Sequence, residues 1–120
     1  MKKLIAILMM GTIAPAAFAT SGTWTNVTVT HITPCAATSG APCSVGTAYV
    51  QVTFSASSTG NPTCSGSAKT YGVIDVSTSA GAFLAAVMQS AFLSGSTISA
   101  NGTGACSILT NEETLGEAVE

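Results

Sequence analysis

Two repeats take turns along this chain and mark out its elements. Over residues 24–33 (WTNVTVTHIT) the side chains alternate with the period of two expected of a β-strand. Trp24, Asn26, Thr28, Thr30 and Ile32 fall on one side, and Thr25, Val27, Val29, His31 and Thr33 on the other. Both sides are mixed; the two valines favour the second as the inward one. Pro34 has no amide to donate to a ladder and is expected to end the strand. Residues 47–56 (TAYVQVTFSA) alternate again, which predicts Ala48, Val50, Val52 and Phe54 inward and Tyr49, Gln51 and Thr53 outward. Residues 71–76 (YGVIDV) are mostly apolar and predict a third, central strand.

The period then lengthens. Phe83, Leu84, Val87, Met88, Ala91 and Phe92 recur at helical spacing and predict a helix from Ala80 to Leu93. Ser77 or Ser79 is the expected N-cap, its hydroxyl able to accept an orphan amide of the first turn. Gly95 stands where a left-handed C-terminal residue is expected. Residues 95–100 then predict a fourth strand with Ile98 inward, Asn101, Gly102 and Gly104 a tight turn, residues 106–109 a short strand, and residues 114–119 (TLGEAV) the last strand.

One property sets the helix apart. No charged residue occurs between Ser77 and Ser99, and Gln89 is the most polar side chain of the helix. An uncharged helix in a soluble protein is normally covered on most sides. Two placements satisfy that: a plug inside a small β domain, or an interface between subunits.

The element order is strand, strand, strand, helix, strand, strand. That β-β-β-α-β-β order is that of a small OB-like five-stranded Greek-key barrel, mainly β with one helix, whose open end needs an apolar stopper. An α+β sheet with one helix on one face fits the same pattern.

The first 19 residues stand outside this fold. Lys2 and Lys3, an apolar run over residues 4–13 and the small-x-small triplet Ala17-Phe18-Ala19 match a secretory signal peptide of bacterial type, with cleavage after Ala19. The run is short for a membrane span, so none is expected after signal removal. The expected mature chain, residues 20–120, is one domain, secreted or periplasmic. Its only cation is Lys69, set against five acids, a net charge near −4. No arginine occurs, which excludes nucleic-acid or anionic-lipid binding through a basic patch.

All four cysteines, Cys35, Cys43, Cys64 and Cys106, lie in the mature part. An even number in an exported chain of this length predicts two disulfides. Of three possible pairings, a local clip is favoured, because Cys35 and Cys43 flank the Gly/Pro/Ser stretch AATSGAP. Cys64 then pairs with Cys106. No C-x-x-C or comparable metal spacing occurs, and no cofactor is expected.

The stretch YGVIDVSTSAGAFLAAVMQSAFLSGSTISANGTGAC resembles a group of small exported bacterial proteins. More distantly it is similar to the B subunits of subtilase and typhoid type AB5 toxins. The resemblance extends over residues 50–120, and Gly102, Thr103, Gly104 and Cys106 are its most specific part. It implies an OB-like barrel and, beyond that, a ring-forming glycan binder whose helices line a central channel. The chain is shorter than those subunits and almost without cations.

Catalytic constellations do not stand out. His31 is the only histidine, and no G-x-S-x-G elbow accompanies it. Asp75, just before the helix, fits a capping or turn role. Glu112 and Glu113 are adjacent in sequence and read as a solvated turn rather than a converging acid and base. A lone G-T-G at residues 102–104, with no lysine and no following helix, reads as a turn rather than a phosphate loop. Glycan binding needs an aromatic face with polar neighbours; Trp24, Tyr49 and Tyr71 are the amphipathic aromatics, with Asn61 and Lys69 in the loop leading to Tyr71. These five are the candidate ligand-binding residues. The sequence thus supports an exported, non-enzymatic binding module for a glycan or protein partner, able to form a homo-oligomer through the helix Ala80 to Leu93. A structural envelope component without soluble ligand is the alternative, and a hydrolase or inhibitor a third reading.

Overall fold

The computed structural model describes residues 20–37, 43, 46–60, 62–66 and 69–119. The expected signal peptide and Asn61 lie outside the described residues. Five strands and one helix follow in the order expected: β1 (Thr23–Cys35), β2 (Tyr49–Phe54), β3 (Tyr71–Asp75), α1 (Ser79–Ser94), β4 (Thr97–Gly102) and β5 (Leu115–Val119). The strands form one sheet, ordered β3-β2-β1-β4-β5, with every ladder antiparallel. Its two ends meet where Thr114, just before β5, bridges Val73 in parallel. There the Val73 amide donates to the Glu113 carbonyl at 2.9 Å. This is a small OB-like barrel.

β1 serves both halves of the barrel. Its first part, Thr23 to Thr28, pairs with β4, and its second, Val29 to Cys35, with β2. The register slips twice, between Trp24 and Val27 and between Val29 and His31. Each bulge shifts the side-chain parity and lets the strand bend around the core. Trp24, Val27 and Val29 therefore all lie inside, with Ile32 packed against them. Strict alternation had divided these residues between two faces, and the bulges resolve that. Asn26 sits in the first bulge with φ 52°, a region asparagine tolerates. The strand also runs through Pro34, which was expected to end it. β4 covers only the first half of β1, so Pro34 has a free edge where its missing donor costs no ladder bond.

The main core joins Trp24, Val27, Val29, Val52, Phe54, Ile74, Ile98 and Leu115 to three helical residues, Leu84, Met88 and Ala91. α1 plugs the barrel with that stripe. Its N-cap is Thr78, between the two serines expected: the Thr78 hydroxyl accepts the Gly81 amide at 3.0 Å. Ser77 is engaged elsewhere, its amide donating to the Asp75 carboxylate at 2.9 Å and its hydroxyl at 2.5 Å. Gly95 ends the helix in the left-handed region, φ 69°. Leu115 of β5 packs flat on β3, and a Cβ at Gly72 would lie 2.6 Å from its side chain.

A second, smaller cluster covers the outside of β2 and β3. Tyr49, Val73, Cys35 and Cys43 are buried there beneath Ile108 and Leu109. Residues 106–109 were expected as a short strand. They instead cross over the outer face of the sheet, and only Leu109 forms a bridge, to Glu112. The disulfides are Cys35–Cys43 and Cys64–Cys106, and the second anchors this crossing segment.

Candidate functional site

The five candidate binding residues do not converge. Trp24 is 1% exposed; its ring stacks at a tilt on Phe54, centroids 4.9 Å apart. Its indole Nε1 donates to the Lys69 carbonyl at 2.9 Å, so both ring and polar handle are used internally. Tyr49 points away from the main core, as alternation predicts, but the second cluster covers it and leaves 4% exposed. An outward strand position was equated with solvent, and the crossing segment removes that solvent. Neither ring offers a face to a ligand. Asn61 lies outside the described residues. Lys69 and Tyr71 remain at the surface, two positions apart where the chain enters β3. His31 is exposed on β1.

The pair Glu112 and Glu113 is not a solvated turn. Glu112 is 9% and Glu113 1% exposed. Glu112 accepts two contacts from the Gln51 side-chain amide, each 2.8 Å. Glu113 points into a cradle of glycine backbone. Its carboxylate accepts the Gly22 amide at 3.0 and 2.9 Å and the Gly104 amide at 2.8 Å. A Cβ on Gly22 would lie 2.5 Å from one carboxylate oxygen, and one on Gly102 would overlap the carboxylate. Three stretches far apart in sequence thus meet on one residue: the segments just before β1 and just after β4 on its carboxylate, and the edge of β3 on its main-chain carbonyl. The amides stand in for water, which keeps the burial of a carboxylate affordable. The role is architectural; all contacts are internal. Local sequence gave no sign of it, since the three glycines look like ordinary turn residues.

The exposed surface of α1 offers more. Only Leu84, Met88 and Ala91 are buried, a narrow stripe. Phe83 is 73% exposed, Leu93 76% and Phe92 41%. The expectation that this helix is covered on most sides holds for the stripe alone. Grooves flank the helix on both sides, the roomiest of those described, about 380 Å³, between Val87 and Ser90 of α1 and Ala118 and Val119 of β5. Another, about 270 Å³, runs between α1 and the strands β1 and β2, lined by Ile32, Pro34, Val50, Gln89, Phe92 and Leu93. A third, also about 270 Å³, lies between α1 and β5, with Phe83 and Val87 on one wall and Gly116 and Ala118 on the other. The groove beside β1 and β2 contains no charged side chain; the one beside Phe83 has Glu117 at its margin. Glu117 is itself held by the Asn101 amide at 2.5 Å.

Among the described residues no three His, Cys, Asp or Glu side chains come together as a metal site. No helix among them is long and apolar enough to cross a membrane. No protein-family model, curated protein or solved structure matches the chain.

Proposed function

We propose that this chain is an exported, non-enzymatic binding module that works through the uncharged outer face of α1. The observation that supports it is the exposure of Phe83, Phe92 and Leu93 on a segment without formal charge. Exposed aromatic and aliphatic side chains on a helix flanked by apolar grooves are the usual mark of a docking surface. Two disulfides fit an oxidising compartment, and export through the N-terminal signal accounts for them. Glycan recognition, the expectation drawn from the toxin-subunit resemblance, narrows to the end of the barrel where Tyr71 and Lys69 are exposed.

The test uses the oxidised mature chain, residues 20–120, with two variants, Phe83→Glu and Tyr71→Ala. Both positions reach the surface, and circular dichroism checks that both variants keep the wild-type fold. Binding is measured on a glycan array and, separately, by sedimentation for protein association. Loss of association in Phe83→Glu alone supports docking through α1. Loss of a glycan signal in Tyr71→Ala alone supports a carbohydrate site. A wild-type chain that shows neither a glycan signal nor any association overturns the binding reading and leaves the envelope-component alternative.

A further inference from the structure

We infer that the stretch between β4 and β5, residues 103–114, is a redox-latched strap. Reduction of Cys64–Cys106 by a dithiol lifts it from the outer face of β2 and β3, and only then is Cys35–Cys43 open to reduction. This goes beyond the reading of α1 and does not depend on it.

The first argument is access. Cys35 is 5% and Cys43 9% exposed, and Ile108 and Leu109 of the strap pack on their cluster. Cys64 and Cys106 are half-buried. Thiol–disulfide exchange needs a thiolate to reach a disulfide sulfur. An incoming thiolate therefore meets Cys64–Cys106 first, with the strap between it and Cys35–Cys43.

The second argument is what holds the strap. Its ends are fastened: the Thr103 amide donates to the Thr114 carbonyl at 2.8 Å, the Gly104 amide to the Glu113 carboxylate at 2.8 Å, and the Val73 amide to the Glu113 carbonyl at 2.9 Å. The middle is not. Among the described residues, no main-chain hydrogen bond of residues 105–112 reaches a strand. Those they make stay within the stretch, from the Thr114 amide to the Ala105 carbonyl at 2.8 Å and from the Glu112 amide to the Leu109 carbonyl at 3.4 Å. The Cys106 sulfur, the half-buried Ile108 and Leu109, and the Gln51–Glu112 contact tie this middle to the barrel. A segment with few buried apolar side chains and no ladder lies at the low-stability end of a fold. With its one covalent tie cut, it opens locally.

The third argument is what lies beneath. Tyr49 is 4% and Val73 0% exposed, in the same cluster as Cys35 and Cys43. The main core, with Trp24, Ile74 and Met88, is a separate cluster. The strap can thus lift, uncovering the Tyr49 ring and the second disulfide, without emptying the core that carries the barrel.

The chemistry is two exchanges. One thiolate of the dithiol attacks a sulfur of Cys64–Cys106; that bond breaks, a mixed disulfide forms, and the other cysteine leaves as a thiolate and takes up a proton. The second thiolate of the reductant then displaces the remaining cysteine, which is protonated in turn. The protein gains two electrons and two protons, and the dithiol leaves as a disulfide.

The experiment uses the oxidised mature chain, residues 20–120. Dithiothreitol acts for set times, iodoacetamide traps free thiols, and peptide mapping reads which cysteines are capped. Cys64 and Cys106 are expected first, with Cys35 and Cys43 capped only after a lag. The double variant Cys64→Ser/Cys106→Ser begins with the latch gone. In it Cys35–Cys43 is expected to be reduced without a lag, at an initial rate about tenfold or more above that in wild type. Tetranitromethane is expected to nitrate the exposed Tyr71 in both proteins and Tyr49 only in the variant. Circular dichroism and Trp24 fluorescence are expected to stay native in the variant. Capping of Cys35 and Cys43 first, or of all four together, overturns the order. A variant whose Tyr49 stays unreactive, or whose Cys35–Cys43 bond is reduced as slowly as in wild type, overturns the strap, since the latch then holds nothing shut. A variant that loses its helix signal overturns it as well, because Cys64–Cys106 is then a staple of the whole barrel.

Discussion

Glu113 shows how much one side chain can decide. A carboxylate is acceptor-only, and here it faces the amides of Gly22 and Gly104. Glu113→Gln keeps the size but places an NH2 donor where only acceptors fit. The loss expected is about 3 kcal/mol, the scale of a buried charge-assisted hydrogen bond left unmade. Glu112→Gln should cost less, about 1 kcal/mol, because Gln51 can reorient its amide toward the new side chain. Urea unfolding of the two variants beside wild type checks the order; equal losses would mean that the glycine cradle adds nothing.

At the scale of elements, α1 has two jobs on two faces. The buried stripe stabilises the barrel, and the exposed face is free to change. Met88 is fully buried against the strands, so Met88→Ala should cost about 2–5 kcal/mol in transfer and cavity terms. Phe83→Ala, 73% exposed, should stay within about 0.5 kcal/mol in the monomer. Thermal unfolding at low concentration measures both. A large effect of Phe83→Ala under those conditions would place it in the fold rather than at an interface. The bulges of β1 belong to this scale as well. Trp24, Val27 and Val29 share the inside because the strand slips register between the first two. A period-two reading has no way to see an inserted residue, so the inward face of β1 was illegible while its existence was plain.

For the whole molecule, closure matters most. The barrel ends are joined by the Val73–Thr114 bridge, and Cys64–Cys106 ties the crossing segment in place over a separation of 42 residues. On the chain-entropy model that disulfide contributes about 4 kcal/mol and Cys35–Cys43, with a separation of 8, about 2.5 kcal/mol. The double variant Cys64→Ser/Cys106→Ser should therefore unfold at lower denaturant than Cys35→Ser/Cys43→Ser. The reverse order in guanidinium titration would show that the local clip holds more structure than its loop length implies. The candidate site follows the same division of scale. The uncharged helix was open to reading from the chain, whereas the covering of Trp24 draws on Phe54, 30 residues on, and that of Tyr49 on Ile108 and Leu109, which arrive from the far end of the chain.

What the chain itself determined was local or topological: the order of strands and helix, the left-handed Gly95, and an even set of cysteines. These rest on periodicity, capping and covalent chemistry, all of which act within a few residues or follow from composition. Only the tertiary structure decided which surfaces are wet. It buried Glu113 and Tyr49, which local pattern placed in solvent, and opened Phe83, Phe92 and Leu93, which local pattern placed under cover. Burial is a property of what else arrives at a surface, and hydrophobic and hydrogen-bonding partners arrive from far along the chain.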